Sequence, residues 1–257
     1  METILSTKIL GTKVSTEESS KVLQYIIRRL KSRREKFYIV TPNPEIMTYA
    51  MRNRTYQEGL NGAEVALPDG VGVLVASKLL KKGVRERISG VDFMVMMVRE
   101  CAKEGLTVGF LGGRGNVAKR TADCLSELYP GLKVSFAEEE WNVKKIANGK
   151  WEKDDGERLG HIDVLFVAMG FPKQEEWIVK NLSDIPATAA MGVGGAFDYI
   201  SGRVVRAPRI LRQAGLEWFF RLLIEPWRLK RQLVLPIFVY YIIRARLFGE
   251  KDEKRYT

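Results

Sequence analysis

The stretch that decides the fold is residues 107–129, which read TVGFLGGRGNVAKRTADCLSELY. An apolar, β-rich run from Thr107 to Leu111 is followed by a turn at Gly112 and Gly113. From Val117 to Tyr129 the apolar residues then recur with helical periodicity. A strand, a glycine-rich turn and a helix in this order form the repeating unit of a parallel sheet covered by helices. The stretch therefore predicts an α/β protein.

The same alternation recurs along the first 200 residues. It predicts an α/β domain of residues 1–200, built as a Rossmann-like, largely parallel sheet flanked by helices. The predicted strands are residues 37–41, 64–67, 107–111, 132–137, 164–168 and 188–193. The predicted helices are residues 16–34, with Thr16 as the N-cap, 44–54, 71–80, 91–103, 117–129 and 172–181.

Residues 201–257 differ in composition from the rest of the chain. From Ile200 onward there are 13 Lys and Arg against 5 Asp and Glu, whereas the remainder is nearly balanced in charge. Aromatic residues are frequent between Trp218 and Tyr241, and the apolar run 233–243 contains Pro236. This run is about half of the roughly 20 residues that a membrane-spanning helix needs. We therefore predict a helical appendage that associates with a membrane surface without crossing it.

The residue types that metal sites and catalytic triads require are scarce. The 257-residue chain has a formal net charge of +11, one histidine (His161) and two cysteines (Cys101 and Cys124). A single histidine argues against a multi-histidine metal site and against a histidine-based triad. Two separate cysteines make no disulfide framework, and the first residues lack a signal-peptide pattern. We expect a cytoplasmic protein that holds neither a metal nor a cofactor.

Two glycine-rich turns are candidate phosphate-binding loops. The first contains Gly112 and Gly113, and the second, after the last strand, contains Gly194, Gly195 and Asp198. Glycines let backbone N–H groups approach a phosphate, and a following helix N-terminus favours negative charge. Two such loops at the ends of parallel strands favour a nucleotide or nucleotide-sugar site. A tight structural turn explains the first loop alone equally well.

Polar residues follow three other predicted strands. Asp69 lies between a strand and a helix, where an aspartate is either a helix N-cap or a general base, and physical chemistry alone favours the cap. Thr41 and Asn43 either cap a helix or face a ligand. Gln174 follows Pro172 in a turn that would direct it toward the same end of the sheet.

Arginines are concentrated in the appendage. Arg206 belongs to a series with a spacing of three residues, and Arg221, Arg228 and Arg231 would share one face of a continuous helix. A solvated basic face is the usual explanation of such a pattern. The opposite face is rich in Trp, Phe and Leu, however, which favours a surface that meets lipid and phosphate together.

With these segments identified, the chain resembles the WecG/TagA/CpsF glycosyltransferase family, and within it the TagA type, from about Ile9 to Leu247. Their joint presence and order make the resemblance specific. The motifs that carry it are Thr41-Pro42-Asn43, Leu67-Pro68-Asp69-Gly70-Val71-Gly72, Arg87-Ile88-Ser89-Gly90-Val91-Asp92, Gly109-Phe110-Leu111-Gly112-Gly113, Gly170-Phe171-Pro172-Lys173-Gln174-Glu175, Gly194-Gly195-Ala196-Phe197-Asp198 and Arg206-Ala207-Pro208.

The resemblance implies an inverting, metal-independent transfer from a UDP-sugar donor to a polyprenyl-diphosphate-linked acceptor. For the TagA type it implies UDP-N-acetylmannosamine as donor and N-acetylglucosamine on undecaprenyl diphosphate as acceptor, in wall teichoic acid linkage-unit synthesis. Other members move N-acetylmannosaminuronate or glucose, so the donor stays open. The resemblance also implies a peripheral protein on the inner face of the cell membrane that self-associates into a homo-oligomer.

Several residue roles follow from the resemblance. Asp69 occupies the position of the family's catalytic base. The arginines Arg221, Arg228 and Arg231 match candidates for stabilising the leaving diphosphate. Residues expected to bind substrate are Thr41, Asn43, Arg87, Gln174, Gly112, Gly113, Gly194, Gly195, Asp198 and Arg206.

Two other classes compete with this interpretation. A nucleic-acid-binding protein would use the basic tail for phosphate contacts and the aromatic residues for stacking. Against it, long apolar runs interrupt the basic residues, so we expect no nucleic-acid partner. A Rossmann-type oxidoreductase or methyltransferase would use the Gly112-Gly113 turn, but it leaves the Asp69 loop and the tail without a role.

Overall fold

The computed structural model describes residues 3–146 and 149–249. The chain divides into two compact units, and it passes between them four times. The first unit comprises Met1–Ser19, Thr41–Ser89 and Val205–Thr257, and the second comprises Ser20–Val40 and Gly90–Val204. Each unit is described by itself.

Strands and helices alternate along most of the chain. The strands are β1 (Ser6–Ile9), β2 (Thr12–Ser15), β3 (Phe37–Val40), β4 (Val65–Ala66), β5 (Thr107–Gly112), β6 (Lys133–Glu138), β7 (Val143–Lys145), β8 (Trp151–Lys153), β9 (Arg158–Leu159), β10 (Ile162–Ala168) and β11 (Ala187–Gly192). The helices are α1 (Ser19–Ser32), α2 (Pro44–Ala50), α3 (Arg54–Asn61), α4 (Val71–Leu80), α5 (Gly90–Glu104), α6 (Val117–Leu128), α7 (Lys173–Asn181), α8 (Ala196–Ile200), α9 (Arg209–Gln213), α10 (Glu217–Ile224), α11 (Leu229–Gln232) and α12 (Val234–Phe248).

The second unit is built on a parallel sheet. Its strands follow one another in the order β3-β11-β10-β5-β6, and the pairings between these neighbours are parallel. All seven residues of β10 are buried, as expected for a central parallel strand covered by helices on both faces. Phe166 of β10 pairs with Phe110 of β5, and their rings stack at 5.8 Å. The predicted α/β class with a largely parallel sheet is confirmed.

Two local features of the chain differ from the sequence prediction. The helix predicted from Thr16 begins at Ser19, and the Thr16 N–H instead donates to the Leu5 carbonyl at 2.9 Å. In the second unit, β7, β8 and β9 form a small antiparallel sheet that is not among the predicted strands. These strands have two or three residues each, too few to show a period in the sequence.

The first unit has its own hydrophobic core. β1 and β2 pair as an antiparallel hairpin, and the Ala66 N–H of β4 donates to Ser15 Oγ of β2. Gly72 in α4 packs so closely on Pro44 in α2 that an added Cβ would lie 2.6 Å from Pro44 Cγ. The buried residues of this core are Ile9, Leu10, Val14, Met47, Val73, Ala76, Val84, Phe238 and Ile242.

Helix α12 is part of that core. Phe238 and Ile242, one helical turn apart, are each only 3% exposed and pack in the same cluster as Met47 of α2 and Val73 of α4. A domain boundary at residue 200, between the α/β domain and the helical appendage, stays a prediction. In the structure, residues 205–249 belong to the same compact unit as residues 41–89. None of the helices within residues 3–146 and 149–249 is long and apolar enough to cross a bilayer.

Replacing Phe238 by Ala tests whether α12 stabilises the fold. The substitution removes a buried ring, so we expect the free energy of unfolding to fall by about 3–5 kcal/mol, measured by urea denaturation. The matched control is Val239→Ala, because Val239 is the next residue of α12 and is 53% exposed. The control should change stability by no more than about 0.5 kcal/mol. Equal effects of the two substitutions would contradict the packing of α12 in the core.

Candidate active site

The residues predicted to form the site are divided between the two units. The first unit holds Asp69, Thr41, Asn43, Arg87, Arg206, Arg221, Arg228 and Arg231. The second unit holds Gly112, Gly113, Gln174, Gly194, Gly195 and Asp198.

In the first unit, two predicted segments lie side by side. The Asp69 backbone N–H donates to the Pro42 carbonyl at 3.0 Å, so the loop that carries Asp69 is bonded to the loop between Thr41 and Asn43. Thr41 is buried, and Asp69 is partly exposed. The structure therefore brings the proposed base next to two residues that were expected to contact the sugar.

Asn43 has a structural role of its own. It is the N-cap residue of α2, and its Oδ1 accepts a hydrogen bond from the Ile46 N–H at 2.9 Å. This bond satisfies one of the N–H groups that a helix leaves without a partner at its first turn. Of the two alternatives for Asn43, capping is observed, while contact with a sugar stays a prediction.

The N-cap interpretation of Asp69 is wrong. The cap position of α4 is occupied by Gly70, whose φ of 86° lies in a region that favours glycine. Asp69 is one residue too early to be the cap. The structure therefore rules out the helix N-cap, which was the role that physical chemistry alone favoured for Asp69. The role of Asp69 as a general base stays a prediction.

Arg87 and Arg206 both bond to the segment that follows residue 205. Arg87 Nη2 donates to the Arg212 carbonyl at 2.9 Å, and Arg206 Nε donates to Glu217 Oε1 at 3.1 Å. The Ile88 N–H donates to the Pro68 carbonyl at 2.9 Å, which places Arg87 beside the loop that carries Asp69. The bonds of Arg87 and Ile88 connect the tail of the chain with the Asp69 loop, whereas the bond from Arg206 to Glu217 lies within the tail.

Arg221, Arg228 and Arg231 do not share one helix face, so that prediction is wrong. Helix α10 ends at Ile224 because Pro226 has no N–H and pushes the preceding residue out of the helical region. A short 3-10 turn, Pro226–Arg228, and the helix α11 follow. The change of direction brings Nε of Arg221 and Nε of Arg228 to the same oxygen, Glu225 Oε2, each at 2.6 Å.

Arg231 is held by a different carboxylate. Its Nε and Nη2 donate to the two oxygens of Glu45, each at 2.7 Å, which is the bidentate geometry that favours Arg over Lys. Glu45 lies in the first turn of α2, two residues after Asn43. Arg231 is therefore anchored next to the pair of loops that contains Asp69.

The electrostatics of this cluster reflect partial burial and close charges. Burial alone would raise the pKa of Glu225, but the hydrogen bonds and charges of Arg221 and Arg228 outweigh it and lower that pKa. Burial, together with the nearby Arg221, lowers the pKa of Arg228. The hydrogen bonds to Glu45 raise the pKa of Arg231. At neutral pH the cluster holds three cations against two carboxylates, which is an excess of positive charge.

In the second unit, the first glycine turn has a packing explanation. A Cβ on Gly112 would lie 2.7 Å from the Ala168 carbonyl oxygen, so only glycine fits where β5 and β10 end side by side. The Gly113 N–H donates to that same oxygen at 3.1 Å, and the Gly115 N–H donates to Glu139 Oε2 at 3.0 Å. The structural-turn alternative is therefore observed, and phosphate binding here stays a prediction.

Gln174 organises the second glycine turn. It is 2% exposed, its Oε1 accepts from the Gly194 N–H at 2.9 Å, and its Nε2 donates to Glu175 Oε1 at 2.6 Å. Gly195 follows as the residue before α8, and Asp198 Oδ1 lies 3.6 Å from Arg203 Nη1. Gln174 thus fixes the loop shape, whether or not it touches a substrate.

The acidic partners of the arginines were missed by the sequence analysis. Glu225 could have been found, because it follows Arg221 at the i, i+4 spacing of helical ion pairs. Glu45 could not, because 186 residues separate it from Arg231. Across residues 3–146 and 149–249, no three His, Cys, Asp or Glu side chains are grouped to hold a metal ion.

Comparison with known proteins identifies the family. The model of the Glycosyl transferase WecG/TagA/CpsF family matches residues 7–252. The chain belongs to this family. The resemblance carried by the sequence motifs is confirmed, and the protein is a glycosyltransferase.

Relatives of this WecG/TagA/CpsF protein include two from Staphylococcus aureus. Those of strain NCTC 8325 / PS 47 and strain COL are each 36% identical over 217 residues, covering 81% of this chain and 80% of the relative. Both relatives carry the name N-acetylglucosaminyldiphosphoundecaprenol N-acetyl-beta-D-mannosaminyltransferase.

Two asparagines provide a test that separates capping from substrate contact. Asn43 caps α2, and Asn53 caps α3 through a bond of 3.0 Å from the Tyr56 N–H. Each substitution by Ala should lower the free energy of unfolding by about 1 kcal/mol, because each removes one cap bond. If Asn43 also contacts the sugar, only Asn43→Ala should reduce glycosyl transfer beyond the loss of folded protein. Equal transfer rates for the two folded variants would assign Asn43 to capping alone.

Proposed function

We propose that this glycosyltransferase moves N-acetylmannosamine from UDP-N-acetylmannosamine to the N-acetylglucosamine of an undecaprenyl-diphosphate-linked acceptor. This step commits the lipid to the synthesis of the wall teichoic acid linkage unit. The observation that carries the proposal is one connected arrangement in the first unit. Asp69 is bonded to the Thr41–Asn43 loop, and Arg231 is fixed to Glu45 in the helix that follows that loop. The names of the Staphylococcus aureus relatives support the choice of donor and acceptor.

In the proposed reaction Asp69 is the general base. Its carboxylate accepts the proton of the attacking acceptor hydroxyl as that oxygen forms a bond to the anomeric carbon of the donor sugar. The bond between that carbon and the diphosphate oxygen breaks, and UDP leaves with the electron pair. Attack from the face opposite UDP inverts the configuration. Partial exposure of Asp69 is consistent with access by a hydroxyl group from solvent or from a lipid headgroup.

The arginines would supply the charge that the leaving UDP needs. Three positive charges, on Arg221, Arg228 and Arg231, are bound by only two carboxylates. The cluster therefore has a net positive charge. Stabilising developing negative charge often contributes more to catalysis than any other effect, and guanidinium groups do so through charge-assisted hydrogen bonds. We therefore propose that the transfer proceeds without a divalent metal.

The protein would work as a peripheral protein on the inner face of the cell membrane. Large apolar side chains are exposed on the first unit between Val205 and Phe248, in the same segments as its arginines. Exposed apolar groups mixed with basic residues are typical of surfaces that bind an anionic lipid interface. We further propose that bilayer contact brings these segments to the acceptor headgroup and that the protein self-associates in solution.

Asp69→Asn tests the base. The substitution preserves shape and removes the proton acceptor, so we expect acceptor-dependent UDP release to fall by about 10²–10⁴-fold, the usual contribution of a general base. UDP release is measured with UDP-N-acetylmannosamine, a short-chain lipid-diphosphate-N-acetylglucosamine acceptor and EDTA. Asp123→Asn is the control, because Asp123 lies exposed on α6.

Each arm of this assay has a distinct consequence. Full activity of folded Asp69→Asn would disprove the role of Asp69 as base. Loss of wild-type activity with EDTA, restored by a divalent metal, would disprove the metal-independent mechanism. If the wild type is active only with UDP-N-acetylmannosaminuronate or UDP-glucose, that UDP-sugar replaces UDP-N-acetylmannosamine as the proposed donor. If no UDP-sugar is turned over, the proposed reaction itself is wrong.

Membrane association is tested by flotation with vesicles containing anionic lipid. Leu223 and Trp227 are 64% and 71% exposed, so the double substitution Leu223→Glu and Trp227→Glu should leave the fold intact and reduce vesicle binding by about tenfold or more. Leu128→Glu is the control, because Leu128 is similarly exposed, at 67%, but lies on α6 in the second unit. Unchanged flotation of the double variant would contradict the proposed membrane surface.

A further inference from the structure

Glu225 lies at the joint between two segments that each carry a candidate catalytic arginine. Its backbone N–H donates to the Arg221 carbonyl at 2.8 Å, and its own carbonyl accepts from the Arg228 N–H at 3.0 Å. Its side-chain Oε2 accepts from Nε of both arginines at 2.6 Å. Glu225 therefore bonds to the same two residues through its backbone and through its side chain.

This joint brings the two guanidinium groups closer than a helix would. On a continuous helix, residues seven positions apart are displaced by about 10.5 Å along the axis. Here both Nε atoms contact one oxygen, so they are at most about 5 Å apart. Pro226 ends helix α10 at Ile224, and the turn that follows makes this approach geometrically accessible.

Two cations held this close repel each other unless an anion lies between them. The side chains of Arg221, Arg228 and Glu225 are 16%, 21% and 13% exposed, so water screens them only partly. The hydrogen bonds and charges of the two arginines lower the pKa of Glu225, which reflects how strongly they stabilise its carboxylate form. The carboxylate is thus the group that makes the close pair of arginines stable.

The bond from Nε to Glu225 fixes the position of each guanidinium group. A guanidinium carries several N–H donors in a planar fork, a geometry that suits phosphate oxygens. Two guanidiniums held side by side match a ligand with two adjacent phosphates better than a ligand with one. A nucleoside diphosphate has that character, whereas a nucleoside monophosphate does not.

We propose that Glu225 is a positioning residue that holds Arg221 and Arg228 as a paired binding element for the diphosphate of the nucleotide. This inference rests on the proposed function, because it assigns the diphosphate of the donor and of the UDP product to these arginines. Glu225 itself touches neither the sugar nor the acceptor. It acts through the two arginines, and it sets the preference of the site for UDP over UMP.

The test is equilibrium binding of UDP and of UMP to the full-length protein, as wild type and as Glu225→Gln. The Gln side chain keeps the size and one acceptor oxygen but loses the charge that holds two cations together. We expect the Kd for UDP to rise about tenfold or more, the scale of one charge-assisted hydrogen bond, and the Kd for UMP to change by less than about twofold. Retained UMP binding also shows that the variant is folded.

Two further variants sharpen the test. Glu225→Asp keeps the charge on a shorter side chain and should recover part of the preference for UDP. Glu58→Gln is the matched control, because it removes an exposed i, i+4 ion pair with Arg54 in the same unit and should leave both affinities unchanged. An equal weakening of UDP and UMP in Glu225→Gln would mean a merely structural role and would overturn the proposal.

The remaining outcomes separate this inference from the proposed function. If Glu225→Gln binds UDP as tightly as the wild type or more tightly, and the wild type transfers the sugar, only the positioning role is overturned. Tighter binding would identify Glu225 as a competitor of the diphosphate. A wild type that does not prefer UDP over UMP would overturn the diphosphate site. Glu225→Gln could lose the preference for UDP while the wild type transfers sugar from no UDP-sugar. That result would support the positioning role of Glu225 and reject the proposed reaction.

Discussion

The contact between Pro44 and Gly72 is the constraint on which the first unit depends. There is no room for a Cβ at residue 72, because it would lie 2.6 Å from Pro44 Cγ, and the Phe238 ring is also within contact distance of this position, at 3.7 Å. One glycine thus lets α2, α4 and α12 meet at a single point. The loops that precede α2 and α4 are then adjacent, and the bond from the Asp69 N–H to the Pro42 carbonyl follows from that adjacency.

Carboxylates organise the cationic part of this unit. Arginines in a partly buried cluster need anionic partners, since an unpaired buried charge is costly. Glu225 pairs Arg221 with Arg228, Glu45 holds Arg231, and Glu217 holds Arg206. The cluster therefore has a defined geometry before any substrate arrives, and a preorganised charge distribution is what transition-state stabilisation requires.

The sequence was a sufficient guide where local pattern determines structure. Strands such as β10 were predictable because a run of buried apolar residues between turns has few alternatives in an α/β protein. The sequence was not a sufficient guide to the local structure where a single residue changes the direction of the chain. Gly70 takes the cap position that was assigned to Asp69, and Pro226 divides a helix that the spacing of the arginines had suggested. The positive φ of Gly70 is not visible in the side-chain pattern, whereas the break at Pro226 could have been read from the sequence, because proline ends helices.

The candidate site was predictable in its residue types but less so in its contacts. Asp69, Asn43 and the arginines could be singled out, whereas the Glu45–Arg231 pair spans 186 residues and depends on tertiary packing. Gln174 was expected to contact substrate, yet its bonds to Gly194 and Glu175 show that a buried polar side chain first satisfies its own protein.

The tail combines two roles that a sequence would assign to different domains. Phe238 and Ile242 anchor α12 in the core, while Leu223 and Trp227, which lie before α12 in the chain, are exposed. The arginine pair lies in that exposed segment, within one turn of these apolar side chains. A surface that covered Leu223 and Trp227 would lie within one turn of Arg221 and Arg228, and a lower dielectric around the arginines would strengthen their attraction for a diphosphate. The proposed lipid contact and the proposed charge stabilisation are therefore assigned to the same short stretch of chain.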